Sequence, residues 1–154
     1  MKSLTKTITV FAPGKLNLFL NILGKRHDGY HNIQTLFQLL DIGDEISFEV
    51  IKKNEIVLSH DLVGVRSEDN LIVKSAELLQ KAANIKNGCH INLKKLLPIG
   101  AGLGGGSSDA ATTLLTLNVL WDCNLNTDNL AILGGSLGAD IPVFIYGQSA
   151  LGEG

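Results

Sequence analysis

The chain has little that would take it out of a reducing compartment or into a membrane. Its two cysteines, Cys89 and Cys123, form neither a CxxC pair nor the framework of a secreted domain. Free thiols are expected, and with them a cytoplasmic protein. No window nears the roughly 20 apolar residues of a membrane span. The lysine-bearing start MKSLTKTITVFAPGK also lacks the apolar run of a secretory signal. Charge of one sign is missing too: 13 Lys+Arg stand against 15 Asp+Glu, a formal net charge of -2. There is no basic stripe for nucleic acid and no general pull toward anionic lipid, so any phosphate site has to be built locally.

The 154 residues, 45% hydrophobic, suit one compact domain with a real core. Residues 7–11 alternate through Ile8 and Val10, break at Ala12-Pro13-Gly14, and resume with Leu16, Leu18, Leu20 and Ile22, as two strands joined by a turn. Lys15, Asn17 and Asn21 then share the face opposite the leucines. Residues 24–29 read as a polar loop and 30–40 as a strand. Residues 45–50 and 55–58 flank Lys52-Lys53-Asn54 as a hairpin would. From Asp69 as N-cap, Leu71, Ile72, Ser75, Leu78, Leu79 and Ala82 trace a helical face that ends before Lys86-Asn87-Gly88. Ile91 and Leu93 open another strand. An Ala/Thr/Leu-rich helix capped by Ser107 or Ser108 should run to about Trp121, and a second should start near Thr127 or Asp128 and stop around 134–138. Residues 141–146 read as a last strand with Pro142 near its start. Gly152-Glu153-Gly154 adds neither helix nor strand, which reads as an interruption of a longer chain.

The densest chemistry lies in PIGAGLGGGSSD, residues 98–109, between a strand and a helix. Glycine permits positive φ and has no Cβ to block a ligand, so successive amides can turn toward phosphate oxygens. The following helix adds its free N–H groups and the positive end of its dipole. A plain surface loop would not need five glycines among residues 100–106. The segment is no Walker A loop, which demands a lysine absent here. Gly100, Gly102 and Gly105 do match GxGxxG, but Pro98 interrupts the approach and Asp122 follows a helix, whereas an NAD site wants a buried strand running into the glycines and an acid ending the next strand.

PxxxGLGGGSS, residues 98–108, resembles the phosphate-binding motif of the GHMP kinases (galactose, homoserine, mevalonate and phosphomevalonate kinases). APGKLNLFLNILGKRHDGYHNIQTLFQLLDIGD (12–44), DNLIVKSAELL (69–79), GLGGGSSDAA (102–111) and LGADIPVF (137–144) look like the branch that phosphorylates 4-diphosphocytidyl-2-C-methyl-D-erythritol. The resemblance implies an α+β fold with a mixed β-sheet and helices packed against it, residues 1–154 forming the N-terminal ATP-binding domain and a C-terminal domain being absent. It implies ATP-dependent phosphorylation of that compound's 2-hydroxyl in the non-mevalonate route to isoprenoids, with little or no turnover by this chain alone. Another GHMP kinase and a nucleotide-binding module without catalysis are the alternatives.

By the same resemblance, Asp140 matches the catalytic aspartate and Lys15 the lysine paired with it, whose charge would offset negative charge developing in phosphoryl transfer. Asn17 would bind the substrate's polyol or diphosphate, and Tyr30 and His31 its cytosine ring. Pro98, Gly100, Ala101, Gly102, Leu103, Gly104, Gly105 and Gly106 would wrap the ATP phosphates. Asn70 and Leu71 lie near the adenine, with Lys94 or Lys95 beside it. Asn70 could equally cap a helix. Ser107 and Ser108 are divided between capping and contact with phosphate or Mg²⁺, which is expected with ATP, and the metal ligands are left unassigned. His27-Asp28 and His31 offer a spacing of four, but Gly29 argues against a metal pair on a helix. His60 and His90 are read as structural.

Overall fold

The computed structural model describes residues 7–59 and 65–147 and the backbone of 150–153, so His60 lies outside the described residues. β1 (Thr7–Lys25) and β2 (His31–Ile51) form one long antiparallel hairpin. The expected turn at Pro13-Gly14 is absent. There the ladder instead slips register between Pro13 and Lys15, because a proline without an N–H interrupts the pairing yet keeps the extended backbone that a bulge accommodates.

β4 (Gly88–Lys94) pairs antiparallel along the second half of β2, and β3 (Ile56–Leu58) pairs parallel with β4. Residues 45–58 therefore do not close the expected hairpin. The sheet runs β1-β2-β4-β3, with β5 (Ala150–Glu153) on β2 beside residues 34–37, a closing strand the sequence reading did not expect. Seven residues of β4, burying Cys89, Ile91 and Leu93 on one face, hold the edge of β2 better than three-residue β3 could. With four strand pairs antiparallel or parallel in one mixed sheet, the doubly wound parallel frame of a dinucleotide fold is not formed.

Four helices cover the buried face: α1 (Leu71–Ala82), α2 (Gly105–Leu120), α3 (Thr127–Leu137) and α4 (Ile141–Tyr146). The core joins Ile46, Phe48 and Ile91 of the sheet to Ile72 and Leu79 of α1, Leu114 and Leu117 of α2, Leu130 of α3 and Phe144 of α4. This is the α+β, two-layer arrangement expected.

Three local expectations are corrected. Asn70, not Asp69, caps α1, its Oδ1 accepting the Ile72 N–H at 2.8 Å, while Ser67–Asp69 form a 3₁₀ turn. Neither serine caps α2; its N-cap is Gly104, left-handed at φ 68°. Residues 141–146 are helix, not strand. Ile141, Phe144 and Ile145 bury one face at helical spacing, and Pro142 sits in the first turn, where a missing N–H costs nothing. Cys89 is buried and Cys123 partly so, and both are free thiols. Among the described residues no helix is long and apolar enough to cross a membrane.

Candidate active site

The loop between β4 and α2 forms one wall of a cleft of about 380 Å³, a volume within the range of small-molecule sites. Pro98, Gly100, Ala101, Gly102, Leu103, Gly104, Gly105, Gly106 and Ser107 line it, together with Asn70, Leu71 and Lys95, so most of the expected nucleotide residues meet in one place. Gly100, Gly102 and Gly104 alternate at φ 74°, 76° and 68° with the residues between them. Such alternation turns successive N–H groups toward one concavity, and the first turn of α2 contributes donors without helical acceptors. The cradle suits an anion with several oxygens.

Gly104 also faces inward. A Cβ there would lie 2.9 Å from the Phe144 ring and 3.0 Å from Lys15 Cγ, so the end of the loop is packed directly on β1 and α4. The Lys15 N–H donates to the Leu103 carbonyl at 2.8 Å. Lys15 itself is buried, with its ammonium 3.8 Å from Asp140 Oδ2, donating to Asn17 Oδ1 and standing 5.4 Å from the centre of the Phe37 ring. Asn17 is fixed in turn, its Nδ2 donating to Thr35 Oγ1 at 2.8 Å while Thr35 donates to the Phe19 carbonyl at 2.6 Å. Asp140 stands at the start of α4 with its carboxylate uninvolved in capping. The glycine loop, the lysine and the aspartate thus form one contiguous surface. Thr35 and Phe37, which position Lys15 and Asn17, were missed. They lie across the ladder, where Asn17 pairs with Phe37, and only the strand register could have revealed them.

A second cluster was also missed. Lys95 lies in the cleft wall, but its ammonium is held by Asp44 Oδ2 at 2.7 Å and Asp109 Oδ2 at 3.2 Å. Asp44 is fully buried, and its Oδ1 accepts the N–H groups of Leu96 and Leu97 at 2.7 and 2.8 Å. Burial alone would raise its pKa, but the Leu97 N–H, the Lys95 ammonium, the Asp109 carboxyl and the Leu96 N–H outweigh it and hold Asp44 below the ordinary carboxylate value. Asp109 goes the other way. Burial, then a hydrogen bond shared with Asp44, pushes it up to about 8 against the pull of Lys95. The two carboxylates share one ammonium, and Asp109, whose Oδ1 has no partner among the described residues, is the one displaced toward its protonated form. The Lys95 pKa is raised because, although burial opposes its charge, the hydrogen bond it donates to Asp44 and the charges of both acids outweigh that.

Other candidates stand apart. Tyr30 and His31 are exposed at the tip of the β1–β2 hairpin, where His31 pairs with Lys25, about 33 Å along β1 from Lys15 at ~3.3 Å per residue. Ser108 is fully buried behind the loop, its Oγ without a partner among the described residues. Lys94 points to Glu45 on the sheet surface. His90 is exposed, and Asp28 pairs with Arg26. Among the described residues no three His, Cys, Asp or Glu side chains gather as a metal site would require.

Comparison with known proteins places these features in one family. The model for the GHMP kinases N terminal domain matches residues 70–148, half of the chain. The chain is 56% identical over 143 residues to 4-diphosphocytidyl-2-C-methyl-D-erythritol kinase of Pseudoalteromonas atlantica, covering 93% of this chain and 50% of that protein. It is 54% identical over 142 residues to the enzyme of that name from Pasteurella multocida, covering 92% and 48%. The chain therefore spans about half the length of the curated relatives it matches. Among solved structures, a 4-(cytidine 5'-diphospho)-2C-methyl-D-erythritol kinase superposes with a TM-score of 0.84 at 37% identity over 96% of this chain and 52% of that one. Homoserine kinase from Cytophaga hutchinsonii superposes at 0.69 with 19% identity over 98% and 50%, a likeness of fold alone. With a glycine cradle between strand and helix, an α+β sheet of matching topology and a family model covering half its length, the chain belongs to the GHMP kinases.

Proposed function

We propose that this chain is the ATP-binding part of a kinase that phosphorylates the 2-hydroxyl of 4-diphosphocytidyl-2-C-methyl-D-erythritol in the non-mevalonate route to isoprenoids. The reaction is assigned to a protein of the relatives' full length. The observation that carries the reading is the junction at Lys15, whose N–H holds the Leu103 carbonyl at 2.8 Å while its ammonium stands 3.8 Å from Asp140. Phosphoryl transfer is mostly positioning and charge neutralisation, with a carboxylate near the attacking hydroxyl. In this reading the amides of residues 100–106 and the first turn of α2 bind the triphosphate, and Lys15 neutralises charge on the moving group. Asp140 orients or deprotonates the hydroxyl. Its partial exposure leaves it accessible to substrate, with 42% of the side chain open.

Asn70 and Leu71 border the adenine end of the cleft. Asn17, fixed by Thr35, donates to the polyol or diphosphate; Tyr30 and His31, at the far tip of the hairpin, stand beyond the reach of a substrate whose hydroxyl lies beside Asp140. The cradle and its dipole fit a nucleotide carrying Mg²⁺, which would share the charge of the β- and γ-phosphates. The small-molecule kinase reading is favoured over a binding module because an ammonium and a half-open carboxylate 3.8 Å apart adjoin the cradle, a pair that binding of a nucleotide alone does not call for.

In an enzyme of the relatives' full length that carries this segment, Asp140→Ala should abolish ADP release while leaving binding of an ATP analogue nearly unchanged. Turnover retained by that variant would refute the assignment.

A further inference from the structure

The glycine loop contains three left-handed residues in a row of seven and few side chains able to fix it. Something outside the loop has to set its shape, and the buried ions do so from both ends. Asp44, on β2, takes the N–H groups of Leu96 and Leu97, which lead into the loop. Lys95 reaches across to Asp109, one turn into the helix that leaves it. The Lys95 ammonium also lies where a Cβ on Gly105 would come within 2.6 Å, so it is seated against the first residue of α2. Asp44, at 2.7 Å from the same ammonium, joins the two halves.

We propose that Asp44, Lys95 and Asp109 are positioning residues: through one shared ammonium they clamp the entry and exit of the glycine loop at a fixed separation, and Lys95 acts on the nucleotide through the loop's backbone instead of touching the base. The inference rests on the nucleotide reading given above and deepens it. It changes the role expected for Lys95, because an ammonium engaged by two buried carboxylates has little left to offer an adenine ring. It also explains why an acid is tolerated in the wall of an anion cleft. Asp109 serves the lysine.

The test uses binding of a non-hydrolysable ATP analogue, with Mg²⁺, to the folded chain and to five variants. Lys95→Met and Asp109→Ala each release one end of the clamp. Both should weaken binding about tenfold or more, since small misplacements of a cradle are costly, and the double variant should be no worse than the poorer single one. Asp109→Asn, which keeps the shape and hydrogen bonds of a protonated carboxyl, should bind within about twofold of the unaltered chain. Ile91→Val, a packing change in the core, should lower the melting temperature without changing affinity.

A direct contact between Lys95 and the nucleotide predicts opposite signs. Lys95→Met would weaken binding, while Asp109→Ala, by removing an acid from an anion site, would leave it unchanged or tighten it. That pattern overturns the proposal. A loss of affinity in Ile91→Val as large as in the clamp variants overturns it too. Should Asp109→Ala not fold, Lys95→Met and Asp109→Asn decide, and equal weakening in those two overturns the clamp. Without nucleotide, the amide resonances of Gly100, Gly102 and Gly104 should shift in Lys95→Met and stay in place in Asp109→Asn. Unmoved loop resonances in Lys95→Met overturn the proposal whatever the analogue does. Failure of the unaltered chain to bind the analogue, with loop resonances that do move, instead sinks the nucleotide reading.

Discussion

Three alanine substitutions along the glycine loop should have three different outcomes, and the structure fixes their order. Gly102 has φ 76° with no neighbour within 4 Å of an added Cβ, so Gly102→Ala meets only the left-handed penalty. That is about 1 kcal/mol. Gly104 has φ 68° and would in addition drive its Cβ to 2.9 Å from Phe144 Cζ and 3.0 and 3.1 Å from Lys15 Cγ and Cε. Neither neighbour yields freely: Phe144 is in the core, and Lys15 is buried and held by Asn17 and Asp140. Overpacking of this kind typically adds 1–3 kcal/mol, so Gly104→Ala should cost about 2–4 kcal/mol. Gly106 is helical, without positive φ, and an added methyl would meet only Leu71 Cδ1 at 3.7 Å. Gly106→Ala should stabilise α2 by about 0.5–1 kcal/mol. Urea denaturation followed by far-UV circular dichroism, read as midpoints at constant slope, ranks the three. A Gly104→Ala midpoint equal to or above that of Gly102→Ala would refute the packing of the loop on Lys15 and Phe144.

Asp44→Ala leaves two N–H groups and half of the Lys95 pairing without an acceptor, and should cost about 3–5 kcal/mol in the same assay; a loss under ~1 kcal/mol would mean the cluster is solvated. Asn70→Ala removes the cap of α1 and should cost about 1 kcal/mol, against near neutrality for Asp69→Ala, an order that would reverse if the first turn began one residue earlier. The pH dependence has a definite sign. Asp109 is raised to about 8 in the folded chain, so the unfolded chain gives up this proton first. Its stabilising contribution is full below the ordinary carboxylate range and is lost as pH rises toward 8, at a limiting slope of about 1.4 kcal/mol per pH unit. Melting temperatures of the unaltered chain should therefore fall relative to Asp109→Asn between pH 5 and 8, and parallel profiles would show that Asp109 is ionised throughout. Asp44, lowered, acts in the opposite sense and only in acid, its contribution disappearing as pH falls below the ordinary carboxylate range.

What could be read from the residues was whatever depends on local periodicity and spacing. The glycine stretch, the helix after it, α1 and α3 all follow from patterns within a few residues, and so does the face shared by Lys15 and Asn17. The misreadings share one cause, a choice made by partners far away in the chain. Pro13-Gly14 looks like a turn until β2 supplies a ladder that bulges around it. Residues 45–58 look like a hairpin until β4 arrives from more than thirty residues later and takes the edge. Ile141-Pro142-Val143-Phe144 has the β-branched, apolar character of a strand. Contact with α2 and α3 and a proline placed in the first turn make it helix. The caps show the same limit, since Asp69 and Asn70 are equally good on paper and the 3₁₀ turn that takes up Asp69 decides. For the site, motif and resemblance gathered the loop, Lys15, Asn17 and Asp140. Asp44, Asp109, Thr35 and Phe37 escaped because an isolated acid, threonine or phenylalanine carries no sign of the partner it will meet.

The most direct measurement is a crystal structure of this chain with a non-hydrolysable ATP analogue. The prediction is a triphosphate lying along the amides of residues 100–106, its terminal group beside the Lys15 ammonium and facing Asp140. A nucleotide bound elsewhere, or one seated in the cleft with its terminal phosphate turned away from Lys15 and Asp140, would contradict it.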